Sequence, residues 1–131
     1  MMIEKLRIKK LDIKKDSRGW LAELIKSADV DNQKFGQIGI TVAYPGQTKG
    51  GHYHTRKREW YCVLRGSALL TLVNIKTNKK TEVKMGEKNM ILIEIPINHF
   101  HFIKNVGKKD MYLLFYTNEV FDLKDSDTFN V

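Results

Sequence analysis

The sequence between Gly46 and Gly66 reads Gly-Gln-Thr-Lys-Gly-Gly-His-Tyr-His-Thr-Arg-Lys-Arg-Glu-Trp-Tyr-Cys-Val-Leu-Arg-Gly. Its histidines, His52 and His54, alternate, and a strand projects alternate side chains from one face. Glu59 follows five residues after the second histidine. Two imidazoles and a carboxylate suit zinc, iron, manganese or nickel. We therefore expect a divalent metal site, with His101 as the source of a third imidazole.

Outside this stretch the chain alternates short apolar segments with turns. Asp16-Ser-Arg-Gly19 and Lys76-Thr-Asn78-Lys carry the residues that turns favour, and Pro96 ends an apolar segment. The segment 60–64 is continuously apolar, which predicts a strand buried on both faces. About nine strands and no helical period indicate a sandwich or barrel. The predicted strands include 4–15, 20–25, 35–44, 60–64, 67–75, 81–85, 90–95, 101–103 and 111–116, with a loop at 26–34 and a polar tail from 117. The first of them is expected to have a kink or bulge near Lys9-Lys10.

The spacing Gly-x5-His-x-His-x4-Glu-x6-Gly resembles the first motif of the cupin superfamily. The second cupin motif, Pro-x-Gly-x2-His-x3-Asn, is similar to the segment from Pro96 through His101 to Asn105, in which Asn98 replaces the glycine. Asparagine tolerates a positive φ better than most residues. The resemblance implies an all-β fold, a small double-stranded β-helix or jelly-roll barrel, as a single domain over residues 1–131. Its metal ligands would be His52, His54, Glu59 and His101, with zinc ahead of iron, nickel or manganese.

A second resemblance lies nearer the N-terminus. The segment Asp16-Ser-Arg-Gly-Trp-Leu-Ala-Glu23 is similar to Asp-x-Arg-Gly-Phe-Phe-x-Glu of dTDP-4-dehydrorhamnose 3,5-epimerases. In that family the segment reaches across a dimer to the nucleotide of the neighbouring subunit. The likeness implies a homodimer and the following roles: substrate contacts from Arg18, Glu23, Gln37 and Lys49, and a general base at His52.

Departures from that family favour a metal site. His54 stands where the family has Gln, Glu59 stands where it has Lys, and its longer C-terminal region with a catalytic Tyr is missing. The chain more closely resembles the metal-bearing C-terminal cupin domain of capsular-polysaccharide reductase-epimerases. That likeness implies epimerisation of a UDP-linked 4-keto-6-deoxy-amino sugar. His99 can share a face with His101 and is a further substrate-binding candidate, expected at the rim of the barrel.

The length, charge and composition of the chain limit the remaining classes of function. The 131 residues carry a net charge of +8, but the lysines are scattered and no nucleic-acid recognition motif accompanies them. No apolar run has the length of a membrane span, and the N-terminus has no hydrophobic signal core, which favours the cytoplasm. The single cysteine, Cys62, lies in an apolar segment and is predicted to be a buried thiol.

Together these features predict an epimerase or ketoisomerase that acts on a nucleotide-linked 4-keto-deoxy sugar in surface-polysaccharide biosynthesis. A proton would be transferred next to the ketone, with His52 and Lys49 as catalytic groups, and Lys49 and Arg18 would hold the diphosphate. Two other classes stay open at this point. One is a cupin that binds metal or sugar without turnover, and the other is a metal-dependent oxygenase.

Overall fold

The computed structural model describes residues 6–130, which form strands connected by turns and one short 3₁₀ helix at Ser27–Val30. The all-β prediction is confirmed. The strands of this part of the chain are β1 (Ile8–Lys10), β2 (Ile13–Asp16), β3 (Gly19–Ala22), β4 (Gln37–Ala43), β5 (Thr48–His52), β6 (Glu59–Arg65), β7 (Ser67–Asn74), β8 (Lys80–Gly86), β9 (Ile91–Ile95), β10 (His99–Asn105) and β11 (Met111–Thr117).

Two antiparallel sheets face each other as a jelly roll. One has the strand order β1-β9-β6-β11-β4 and the other has the order β5-β10-β7-β8, while β2 and β3 form a separate hairpin. Inward side chains of both sheets share one buried core, which includes Val63, Leu70, Ile93, Ile103 and Leu113. The expected double-stranded barrel is therefore confirmed, and the histidine-bearing strands β5 and β10 are neighbours in one sheet.

A second apolar cluster covers the outer face of the five-stranded sheet. Trp60 and Cys62 pack there under Leu11 and Val30, which come from the N-terminal segments. The strand β6 is thus buried on both faces over most of its length, as its continuous apolar sequence predicts. Burial also raises the pKa of the Cys62 thiol to about 11, so this thiol stays protonated.

Three local features differ from or refine the predictions. The first predicted strand is split into β1 and β2, and its residues 4 and 5 lie outside the described residues. The predicted loop at 26–34 contains the 3₁₀ helix, whose start is held by the Asp29 carboxylate accepting from the backbone N–H of Lys26 at 2.8 Å. Asn98 has a φ of 58°, the conformation for which cupins use glycine at this position.

No helix within residues 6–130 is long and apolar enough to cross a membrane.

Candidate metal centre

The four predicted ligands come together at one end of the barrel. His52 ends β5 and lies directly opposite His101 in β10, while Glu59 begins β6 and His54 lies in the connection between these strands. One potential ligand atom from each side chain lies within 4.8 Å of every other. The last ligands of the two sequence motifs, Glu59 and His101, are 42 residues apart in the chain. The motifs converge because β5 and β10 pair.

The centre of this cluster consists of buried polar atoms that lack partners. His54 Nε2 and His101 Nε2 lie 3.4 and 3.3 Å from Glu59 Oε1. None of these three atoms makes a hydrogen bond within the described part of the chain. A buried polar atom without a partner costs about 1–3 kcal/mol, so three together are unfavourable unless something binds them. A divalent cation, which accepts imidazole nitrogen and carboxylate oxygen at about 2.0–2.2 Å, fits this donor set.

Backbone carbonyls fix the tautomers of two rings. His54 Nδ1 lies 2.7 Å from the carbonyl oxygen of Asp127, and His101 Nδ1 lies 3.1 Å from that of His99. A carbonyl oxygen only accepts, so each Nδ1 carries a proton, and in the neutral form of each ring the lone pair is on Nε2. Metal-ligating histidines are held by the same kind of contact from the nitrogen that does not bind metal. In that neutral form both Nε2 lone pairs point toward the centre of the cluster, where a cation would replace the protons that otherwise pair with Glu59.

The charges of the cluster also suit a cation. Burial raises the pKa of Glu59, but the adjacent His101 and His54 lower it by more, to about 2, so the carboxylate is ionised. Burial, and after it the neighbouring His101, lowers the pKa of His52 to about 4, so this imidazole is neutral near pH 7. His52 is half-buried, whereas the other three ligands are buried. The cluster therefore combines three buried ligands with one more accessible imidazole.

A bulge in β5 determines which side chains accompany His52. His52 pairs with His101 and Gly50 pairs with Phe102, so Gly51 is an extra residue on β5. Gly50 and Gly51 have φ values of 94° and 96°, which favour glycine, and a Cβ on Gly50 would lie 2.9 Å from the His101 carbonyl oxygen. The two glycines therefore allow β5 to approach β10 closely at this position.

The bulge also changes the side from which Lys49 projects. Lys49 pairs with Ile103, whose side chain is buried in the barrel core. Residues directly opposite each other in antiparallel strands share a face, so Lys49 projects from the barrel side of β5, as His52 does. The Lys49 side chain is exposed to solvent.

The remaining predicted site residues lie in three places. Arg18 pairs with Asp16 of its own turn at 2.7 Å and is largely exposed, and Glu23 pairs with Lys26 at 3.0 Å. Within this chain neither is among the groups gathered around the histidines. Their substrate contacts, predicted to be made across a dimer, stay a prediction. Gln37 begins β4 and its side-chain oxygen accepts from the backbone N–H of Phe121 at 3.1 Å.

His99 departs from its predicted position. It was expected at the rim, but its side chain is buried, because it alternates with His101 on the inward face of β10. Its Nδ1 donates to the carbonyl oxygen of Ile97 at 2.9 Å. The backbone carbonyl of His99 accepts the hydrogen bond from His101 Nδ1, so the main chain of His99 supports a ligand of the cluster.

Asp127 is a site residue that the sequence reasoning missed. The segment after Thr117 resembles the C-terminus of the reductase-epimerase domain but suggests no role for Asp127, which is buried and supplies the carbonyl that binds His54. No local pattern marks this residue, because the two are 73 positions apart.

With this geometry in hand, comparison with known proteins identifies the family. The family described as "Polysaccharide biosynthesis C-terminal domain" matches residues 14–129. The chain belongs to this family. A UDP-2-acetamido-2,6-beta-L-arabino-hexul-4-ose reductase of Pseudomonas aeruginosa is 40% identical over 115 residues, which are 87% of this chain and 29% of that protein. The spore coat polysaccharide biosynthesis protein SpsL of Bacillus subtilis is 30% identical over 121 residues, 88% of this chain and 80% of that protein.

Solved structures agree with this assignment. The capsular polysaccharide assembling protein CapF of Staphylococcus aureus superposes with a TM-score of 0.72 at 29% identity, over 92% of this chain and 34% of that protein. The chain thus spans about a third of CapF and of the Pseudomonas reductase. The dTDP-6-deoxy-D-glucose-3,5-epimerase RmlC of Legionella pneumophila superposes with a TM-score of 0.83 at 17% identity, over 100% of this chain and 74% of that one, which shows the shared fold. The predicted relationship to the C-terminal domain of capsular-polysaccharide proteins is confirmed, and the likeness to the dTDP-sugar epimerases is confirmed at the level of the fold.

Proposed function

We propose that this domain is an epimerase or ketoisomerase of a nucleotide-linked 4-keto-deoxy sugar in polysaccharide biosynthesis. The observation that carries the proposal is the cluster of three buried, partnerless ligand atoms beside an accessible neutral imidazole and a lysine on the same strand face. The Pseudomonas relative bears the name of a UDP-linked hexul-4-ose reductase, and this supports a sugar nucleotide with a ketone at carbon 4 as substrate.

The reaction needs one proton to leave a carbon next to the ketone. The carbon–hydrogen bond breaks, its electron pair moves to the ketone oxygen as an enolate, and the proton passes to a base. Return of a proton to the opposite face inverts that carbon, and no oxidant is consumed. A divalent ion held by His54, Glu59, His101 and His52 would supply a Lewis acid for the ketone oxygen when bound.

The chain itself offers a base and a cation. His52 is neutral near pH 7 and is less buried than the other three ligands, so it is the member of the cluster that can accept a proton from a substrate. We therefore assign the firm metal ligands to His54, Glu59 and His101, and proton transfer to His52. Lys49 would stabilise the enolate or the diphosphate with its ammonium group.

Deuterium incorporation tests the proposal. The protein is incubated with UDP- and dTDP-linked 4-keto-6-deoxy sugars in heavy water, next to a protein-free control, and the carbons flanking the ketone are examined by NMR. We expect protein-dependent deuterium at one of these carbons. Lys49→Ala should slow the exchange by about 10²–10³-fold, the usual cost of removing one electrostatic group from such a site.

Lys104→Ala is the matched control, because Lys104 lies in the same sheet but follows the inward-facing Ile103, so its side chain projects from the outer face. It should leave the exchange rate unchanged. Binding of both sugar nucleotides without exchange would overturn the catalytic proposal and favour a sugar-binding cupin. Oxygen consumption by the iron-loaded protein would favour an oxygenase instead.

A further inference from the structure

The C-terminal segment around Asp127 lies directly on the connection that carries His54. Phe129 and Tyr53 exchange two backbone hydrogen bonds of 2.9 and 3.0 Å, and their rings pack with centroids 5.4 Å apart. On the other side of Asp127, the carbonyl oxygen of Ser126 accepts from Lys57 Nζ at 3.1 Å. The segment is thus attached to the connection at both ends, with Asp127 between the attachments.

The carboxylate of Asp127 organises the backbone that follows His54. It accepts hydrogen bonds from three successive backbone N–H groups, those of Thr55 at 3.0 Å, Arg56 at 2.8 Å and Lys57 at 2.6 Å. The hydroxyl of Thr55 donates a fourth at 2.6 Å. Successive N–H groups that point into one concavity are a favourable anion site. Burial raises the pKa of Asp127, but these donors lower it by more, so the carboxylate is ionised.

The main chain of the same residue contacts His54. Asp127 has a φ of 47°, in the left-handed region, and its carbonyl oxygen lies 2.7 Å from His54 Nδ1. One residue therefore holds the backbone on the C-terminal side of His54 with its side chain and the imidazole with its carbonyl. We infer that Asp127 is a positioning residue that sets the tautomer and the orientation of His54 toward the cluster.

The choice of tautomer has a chemical consequence. With the proton on Nδ1, the Nε2 lone pair of His54 faces Glu59 Oε1 at 3.4 Å and can bind a cation. Without the Asp127 carbonyl, the proton can move to Nε2 and donate to that same carboxylate oxygen. The hydrogen bond from His54 Nε2 to Glu59 would leave His54 without a free lone pair and would use a lone pair of the Glu59 oxygen. It would therefore compete with a metal ion. Asp127 thus favours the metal-binding state of His54 over a closed His54–Glu59 pair.

Two measurements on Asp127→Asn and Asp127→Ala test the inference. Both variants keep the backbone carbonyl but remove the charged acceptor that fixes its position against His54. Nitrogen-15 NMR of the histidine rings, recorded without metal in mildly alkaline buffer, reports which nitrogen of His54 carries the proton. Competition with a chelating dye gives the affinity for Zn²⁺. We expect the unmodified protein to show the Nδ1–H tautomer, and the variants to show a mixture or the Nε2–H form. Their Zn²⁺ affinity should fall about 10–100-fold, as expected for loss of a group that supports a metal ligand.

Thr128→Val is the control, because it removes a hydrogen bond within the same segment, from the Thr128 hydroxyl to the carbonyl oxygen of Ser126, without touching His54. It should change neither measurement. An unchanged His54 tautomer in both Asp127 variants would overturn the inference, as would equal losses in Thr128→Val. The Zn²⁺ part rests on the proposed function, and the tautomer part does not. A protein that shows the expected tautomers but binds no Zn²⁺ would support the role of Asp127 and remove the metal from the proposed function.

Discussion

Lys49 and His52 lie on the same face of β5, although residues three apart in a regular strand face opposite sides. The bulge at Gly50 and Gly51 causes this change, because it inserts one extra residue opposite β10. The register thereby places the exposed Lys49 and the half-buried His52 on one face of the strand. Two consecutive glycines therefore determine which charges a ligand of the cluster would meet.

The close approach of β5 and β10 predicts a large effect of Gly50→Ala. Its Cβ would lie 2.9 Å from the His101 carbonyl oxygen at a φ of +94°, whereas Gly46 has a φ of +81° and nothing within 4 Å of its Cβ position. Gly46→Ala should therefore lower the free energy of unfolding by about 1–2 kcal/mol, the cost of the conformational strain alone. Gly50→Ala should lower the free energy of unfolding by about 1–3 kcal/mol more, because the new Cβ overlaps the His101 carbonyl oxygen. Urea unfolding of both variants measures the difference, and equal losses would contradict the close approach.

The buried ligand atoms predict a strong link between metal and stability. Zn²⁺ at about 100 times its dissociation constant should stabilise the protein by about 2.7 kcal/mol, and a chelator should reverse this. Glu59→Gln removes the carboxylate between His54 and His101 and should abolish most of the Zn²⁺-dependent rise in melting temperature. Thermal unfolding with and without Zn²⁺ measures both effects.

Glu87→Gln is the control for that substitution, because Glu87 is a surface carboxylate that pairs with Lys109 at 2.6 Å, away from the cluster. It should leave the Zn²⁺ effect intact. If Glu59→Gln and the unmodified protein respond to Zn²⁺ equally, the cluster does not hold the ion.

The sequence predicts the ligand cluster because its two motifs lie on strands that pair with each other. Once β5 and β10 are neighbours, the spacing of His52 and His101 within their motifs suffices to place them opposite each other. The orientation of Lys49 is harder to predict, since alternation alone would place it on the opposite face from His52, and the bulge depends on the register with β10. Asp127 is harder still. Its contact with His54 depends on the path of a segment that has no periodic pattern of its own.

Exposed apolar surface on the five-stranded sheet predicts a homodimer. The strand β4 ends this sheet and pairs only with β11 among the described strands, and its Ile38 and Ile40 are 53% and 56% exposed. Such a strand edge can pair with a second copy. Light scattering at micromolar concentration should give twice the chain mass of 15.3 kDa. Ile40→Lys should shift the protein toward the monomer, whereas Leu123→Lys, at an exposed apolar residue of the C-terminal segment, should not.

A monomer mass for the unmodified protein would contradict this prediction and would also remove the route by which Arg18 could reach a neighbouring site. A dimer that tolerates Ile40→Lys as well as it tolerates Leu123→Lys would place the interface elsewhere.

The role of Arg18 can be separated from that of its turn. Its guanidinium pairs with Asp16 Oδ2 at 2.7 Å, and its backbone N–H donates to Asp16 Oδ1 at 2.8 Å. The side chain is 89% exposed, so it is accessible to a ligand held by a neighbouring subunit. If Arg18 binds the diphosphate of a sugar nucleotide, Arg18→Ala should weaken binding by about 1.5–3 kcal/mol, the contribution of a hydrogen bond to a charged group. Calorimetry with a UDP-linked sugar measures this loss.

Asp16→Ala is the matched control, because it removes both contacts within the turn and leaves the guanidinium in place. It should affect binding far less than Arg18→Ala, and by removing the competing carboxylate it can even strengthen it. Neither change should alter Zn²⁺ content, because both residues lie outside the cluster. Equal weakening by the two variants would mean that Arg18 only stabilises the turn between β2 and β3, and unchanged affinity in Arg18→Ala would remove its role in diphosphate binding.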